Sequence, residues 1–151
     1  MSNKLITTSS KETQKLGQLM AQEILKLGPN QQGAFLIALR GDLGSGKTTF
    51  TQGLAKGFGI HEKITSPTFV IMKRFAIHHL LFQNFYHVDC YRIERSEDIL
   101  DLGWRDISAS PYNIVAVEWP ERIKKLLPAE MFNMDFKFLD NQKRSIYLSR
   151  A

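Results

Sequence analysis

A chain of 151 residues with 20 basic and 15 acidic side chains, a net charge of +5, is long enough for one domain with an ordinary core, needing neither disulfides nor a structural metal. Its 43% hydrophobic and 23% charged content is that of a soluble globular protein, and no apolar run approaches the roughly 20 residues that span a bilayer. The stretch Met1-Ser2-Asn3-Lys4-Leu5 lacks a secretory apolar segment, so the expected compartment is the cytoplasm, and the single Cys90 reads as a small buried hydrophobe.

In chain order the first element is a helix. Ser9-Ser10-Lys11-Glu12 offers a capping box, and Leu16, Leu19, Met20, Ile24 and Leu27 recur at helical spacing as a core stripe until Gly28-Pro29 stops them. Residues 35–39 are a short apolar run suited to a buried parallel strand, and residues 49–56 continue as a helix ended by Gly57 and Gly59. Residues 69–75 and 81–88 read as two strands joined by a hairpin connection over 76–80, which predicts a mixed sheet. Ser96 is expected to cap a short helix with Glu97 and Asp98 in its first turn. Residues 113–117 form a buried strand, followed by a helix near 121–127 and two more strands over 134–139 and 145–148, joined by a turn at 140–143. No repeat, low-complexity tract or linker interrupts the pattern, so one α/β domain over residues 1–151 is expected.

Between the first strand and the second helix lies Gly41-Asp42-Leu43-Gly44-Ser45-Gly46-Lys47-Thr48, which fits the G-x-x-x-x-G-K-[ST] phosphate-binding loop. Its glycines let successive backbone N–H groups turn inward around phosphate oxygens. Lys47 supplies a mobile charge for the β and γ phosphates, and the Thr48 hydroxyl is placed to ligate Mg²⁺, with Thr49 adjoining. The helix that starts here adds the positive end of its dipole. The chain therefore handles a nucleoside triphosphate.

Three further groups suit phosphate chemistry. Thr65-Ser66-Pro67-Thr68-Phe69 stands where many such proteins keep a switch segment, and otherwise reads as a hydroxyl-rich turn. In His87-Val88-Asp89-Cys90-Tyr91-Arg92, strand alternation puts His87, Asp89 and Tyr91 on one face; Asp89 then holds a metal-bound water or is a salt-bridged structural aspartate. Tyr91 and Arg92 suit partner binding or anchoring of the strand end. Glu118-Trp119 follows the apolar strand, where a carboxylate coordinates Mg²⁺ through water or orients the attacking water, unless it is a lone exposed glutamate. His61, His78, His79 and His87 match no metal-ligand spacing; the lysines and arginines form no run of five, and solvated surface is the reading for their densest pairs, Lys124-Lys125 and Lys143-Arg144.

The order G-x-x-G-x-G-K-T, S-P-T-F, H-x-D-x-Y-R, V-E-W-P over about residues 9–128 resembles the TsaE family, formerly called YjeE, small bacterial ATPases needed for threonylcarbamoyladenosine in tRNA. The resemblance implies a P-loop NTPase-like fold with a mixed, mainly parallel sheet flanked by helices. It implies ATP and Mg²⁺ as cofactors, with Lys47 and Thr48 on phosphate and metal, Asp89 assisting the metal, Glu118 supporting hydrolysis, and Trp119 beside the site against nucleotide or a partner. It further implies weak, partner-dependent ATP hydrolysis serving TsaD and TsaB on tRNAs that read ANN codons, with tRNA contact indirect and the threonylcarbamoyl transfer done elsewhere. Two features depart from the pattern: Ile123-Lys124-Lys125 stands where a glycine is frequent after V-E-W-P-E-R, and His78-His79 is individual to this chain. A small-metabolite kinase and a nucleotide-dependent binding switch are the alternatives; against the kinase, the chain shows no Asp-x-Asp after the first strand and no arginine-rich lid, and no Asn-Lys-x-Asp or Thr-Lys-x-Asp segment points to GTP.

Overall fold

The computed structural model describes residues 2–30, 32–65 and 71–150. Along the chain run β1 (Ser2–Thr7), α1 (Ser10–Leu27), β2 (Phe35–Arg40), α2 (Lys47–Gly57), β3 (Met72–Ala76) and β4 (Asn84–Asp89). They are followed by α3 (Glu97–Leu100), α4 (Trp104–Ala109), β5 (Asn113–Glu118), a 3-10 segment (Pro120–Leu126), β6 (Phe132–Phe138) and β7 (Arg144–Arg150). All strands join one sheet in the order β1-β7-β6-β2-β5-β4-β3. The central strands β6, β2, β5 and β4 are parallel; β3, β7 and β1 each pair antiparallel with their neighbours.

The two innermost strands, β2 and β5, are apolar over residues 35–39 and 114–117 because both of their faces are covered. Ile37, Leu39, Ile114 and Ala116 face α1 and α2, packing with Ile24, Phe50, Leu54 and Phe136. The alternate residues Leu36, Val115 and Val117 face the other side, against Ile93, Ile99, Trp104 and Ile123. Cys90 lies in this second core, where burial pushes its thiol up to about 12. Among the described residues no helix is long and apolar enough to cross a membrane.

Helix α1 begins as expected, with Ser9 Oγ accepting from the Glu12 N–H at 3.1 Å, though Glu12 reaches back to the Thr8 N–H at 2.7 Å. Its core stripe differs from the expectation. Ile24 is buried and Leu16 and Met20 pack at the edge, but Leu19 is 47% and Leu27 71% exposed. The contact with α2 is instead made backbone to backbone: a Cβ on Gly53 would stand 2.0 Å from the Gln14 carbonyl oxygen. This approach turns Thr13, Gly17, Ala21 and Ile24 inward and leaves the outer leucines in solvent.

Other boundaries also shift. β1 and α4 are additional elements, and β4 starts at Asn84 because Leu81 to Gln83 belong to the connection from β3. Ser96 does not cap α3; it sits in helical geometry without a side-chain cap bond. The helix expected near 121–127 is a 3-10 segment broken at Ile123, whose side chain is buried in the second core. Of the expected 69–75 strand, Phe69 and Val70 lie outside the described residues.

Candidate functional site

β2 carries the chain to the carboxyl edge of the sheet, and the phosphate-binding loop follows at once. Gly46 caps α2 in the left-handed region at φ 105, a geometry that a side chain would strain, and α2 opens directly at Lys47. The first turn is tied by the Phe50 N–H to the Gly46 carbonyl at 2.9 Å. Ser45 is buried under the loop, and its Oγ is the one buried side-chain polar atom without a partner among the described residues.

Lys47 is 4% exposed. Its ammonium donates to the Gly41 carbonyl and lies 4.3 Å from the centre of the Trp119 ring. Burial pulls its pKa below the ordinary lysine value, and the nearby Glu118 and Asp89 carboxylates oppose that shift. Trp119 holds its position at φ 57, the only non-glycine residue with positive φ among those described, with its ring 5.1 Å from Tyr91.

The two carboxylates arrive on adjacent parallel strands. Asp89 ends β4, Glu118 ends β5, and the two are register partners. Glu118 is 3% exposed and pairs through Oε2 with His87 Nε2 at 2.6 Å, so it is not a lone exposed glutamate. Asp89 Oδ1 accepts from the Tyr91 N–H at 3.0 Å. Burial raises its pKa and Glu118 adds to the rise, while the Tyr91 N–H, His87 and Lys47 counter it. Asp89 makes no salt bridge among the described residues. Tyr91 lies beyond the strand end and is exposed, so the alternation expected for His87, Asp89 and Tyr91 stops at Asp89.

A cavity of about 300 Å³ joins these groups. Leu43, Gly44, Gly46, Lys47, Thr48 and Thr49 form its floor, and Asp89, Glu118 and Trp119 form one wall. Gly41 and Asp42 open onto a neighbouring depression beside β6, and Ser45 lies beneath the loop. The opposite wall is absent from the sequence motifs: Ser10 and Thr13 of α1, and Gln142 and Arg144 beside the β6–β7 turn. No local spacing marks these four, since only the β1–β7–β6 pairing brings them to the loop. Thr65 is exposed, and the rest of the expected switch segment, residues 66–69, lies outside the described residues.

The donor set suits a hard cation. Among the described residues no three His, Cys, Asp or Glu side chains converge as a preformed metal cage. A hydroxyl and two carboxylates around a phosphate-binding loop match Mg²⁺, which keeps several waters and takes phosphate oxygens as further ligands.

A family model described as threonylcarbamoyl adenosine biosynthesis protein TsaE matches residues 7–146. A Rickettsia typhi protein named tRNA threonylcarbamoyladenosine biosynthesis protein TsaE is 39% identical over 137 residues, covering 90% of this chain and 87% of that protein. A Treponema pallidum protein of the same name is 31% identical over 141 residues, covering 93% and 96%. Among solved structures, Bacillus subtilis YdiB superposes with a TM-score of 0.76 at 30% identity, covering 99% of this chain and 86% of that one.

Proposed function

The chain belongs to the TsaE family, and on that premise we propose that it is a weak, Mg²⁺-dependent ATPase that supports the turnover of TsaD and TsaB in threonylcarbamoyladenosine modification of tRNA. The observation that carries the reading is the convergence of Lys47, Thr48, Asp89 and Glu118 on one cavity at the carboxyl edge of the sheet.

In this reading the β and γ phosphates sit on the Gly44–Thr48 backbone at the N-terminus of α2, whose free N–H groups and dipole favour an anion. Lys47 leaves the Gly41 carbonyl and the Trp119 ring to meet them. Thr48, with Asp89 and Glu118, would hold Mg²⁺, which would supply positive charge against the developing phosphate charge. Glu118 orients water in line with the γ phosphorus; the new P–O bond forms as the bond to the ADP oxygen breaks, and the water's proton passes to the released phosphate. Solitary turnover is slow in this reading because Arg144, the arginine that lines the cavity, donates to the Asp140 and Lys143 carbonyls of its own turn, which leaves the charge-stabilising finger to a partner.

The test is ATP hydrolysis by the purified chain with Mg²⁺, alone and with TsaD and TsaB, beside a Glu118→Ala variant. The expected result is stimulation by the partners and a loss of roughly 10²- to 10⁴-fold in the variant, with ATP still bound. Full turnover in Glu118→Ala, or no turnover and no partner effect in the native chain, would overturn the assignment.

A further inference from the structure

We infer that His87 is the positioning residue for Glu118: its imidazole holds one carboxylate oxygen, which leaves the other aimed at the cavity where the attacking water stands. The inference rests on the ATPase reading above and adds a residue to that site.

The geometry begins with register. β4 and β5 are parallel, with His87 opposite Ala116 and Asp89 opposite Glu118. His87, Ala116 and Glu118 share a face, and the single methyl of Ala116 leaves the imidazole free to lean along the strands to Glu118. The Nε2 to Oε2 separation is 2.6 Å, and His87 is 1% exposed, so water does not compete for the contact. For Glu118 to accept from the attacking water, as this role requires, His87 Nε2 must be the donor of the pair. Among the described residues nothing else hydrogen-bonds to the Glu118 carboxylate, yet Glu118 also lines the cavity beside Lys47 and Thr48.

The consequence is mechanical. A glutamate side chain has three rotatable bonds, and a water-orienting carboxylate works only within a narrow range of positions. Packing on β4 fixes His87, and His87 fixes Glu118. Asp89, two residues along the same strand, completes the edge of the site, so one strand supplies both the brace and the second carboxylate.

The test compares His87→Leu and His87→Gln in the full chain with TsaD and TsaB. His87→Leu should lower kcat about 10- to 100-fold, the usual loss when a supporting partner is removed, while ATP affinity stays within about twofold. His87→Gln should recover most of the rate, because its amide N–H can donate from nearly the same place. In a Glu118→Ala background, His87→Leu should cost nothing more. A kcat unchanged in His87→Leu, or a Gln variant no better than Leu, overturns the inference while the ATPase reading stands; a native chain without turnover overturns both. A second measurement needs no nucleotide and tolerates a poorly folding variant. In ¹⁵N-labelled native protein, His87 should carry its proton on Nε2, as a slowly exchanging downfield resonance that moves upfield in Glu118→Ala. An unprotonated Nε2 would overturn the inference outright.

Discussion

The cavity has two unlike walls. On the strand-end side, Glu118 and Lys47 are almost fully buried, and each is gripped by neighbours: Glu118 by His87, Lys47 by the Gly41 carbonyl and the Trp119 ring. On the turn side, Arg144 donates to the carbonyls of its own turn, Asp140 at 2.9 Å and Lys143 at 3.1 Å, and its guanidinium rests 4.7 Å from the exposed Phe138 ring. Buried groups with fixed partners suit chemistry, where a small displacement is costly. Surface groups held by a local turn suit affinity, where water and salt soften each contact. The walls should therefore fail differently when altered.

The largest effect is expected on the buried side. Lys47→Ala removes the charge proposed to meet the phosphates and should weaken ATP binding on the order of 100-fold, about 2.7 kcal/mol. Equilibrium binding of a fluorescent ATP analogue measures it, and an unchanged affinity would show that the loop backbone alone holds the nucleotide. On the other wall, Arg144→Ala should weaken ATP by about 1 kcal/mol, roughly fivefold, and leave kcat at saturation in place. A kcat loss as large as that of Glu118→Ala would erase the distinction between the walls and make Arg144 part of the chemistry.

The same contrast explains what the sequence reveals. The candidate loop and both carboxylates are legible because each lies in a contiguous motif, the Gly-rich run ending in Gly46-Lys47-Thr48 standing between an apolar strand and a helix. The bracing of Glu118 by His87 is not legible, since alternation assigns a face but not the cross-strand register that joins the two. Arg144 is hidden for a related reason: it reaches Gly46 only because β7 lies between β1 and β6, and β1 itself has too little apolar alternation to read as a strand. The misread stripe of α1 has a different cause. Periodicity counts apolar side chains, whereas α1 meets α2 through glycine, where the signal is the absence of a side chain.

Asp89 belongs to the buried wall and its elevated pKa gives a smaller, pH-dependent effect. A carboxyl with a folded pKa raised above its unfolded value is at no disadvantage below the unfolded value, near 3.8, and costs stability as pH rises through the folded one. Asp89→Asn keeps an oxygen for the Tyr91 N–H and removes that cost. The nucleotide-free variant should thus melt higher than the native chain at pH 7, with the gain vanishing as pH falls toward the unfolded value. Because Asp89 is partly solvated, the gain should stay below about 1 kcal/mol, or about 1–3 °C. Thermal unfolding across pH reads it, and a gain that persists at low pH would assign the effect to packing, not charge.

The smallest effect tests how the turn wall is held. Phe138 and Arg144 face each other as register partners across β6 and β7, and the ring steadies a guanidinium whose hydrogen bonds otherwise come from its own turn. An exposed contact of this kind is worth about 0.5 kcal/mol. Phe138→Ala should therefore weaken ATP only about twofold, through the added freedom of Arg144. In an Arg144→Ala background the substitution should have no effect, because the ring then steadies nothing that reaches the nucleotide. A loss that survives in that background would mean that Phe138 contacts the nucleotide itself; tighter binding in the single variant would mean that the ring draws Arg144 away from the cavity.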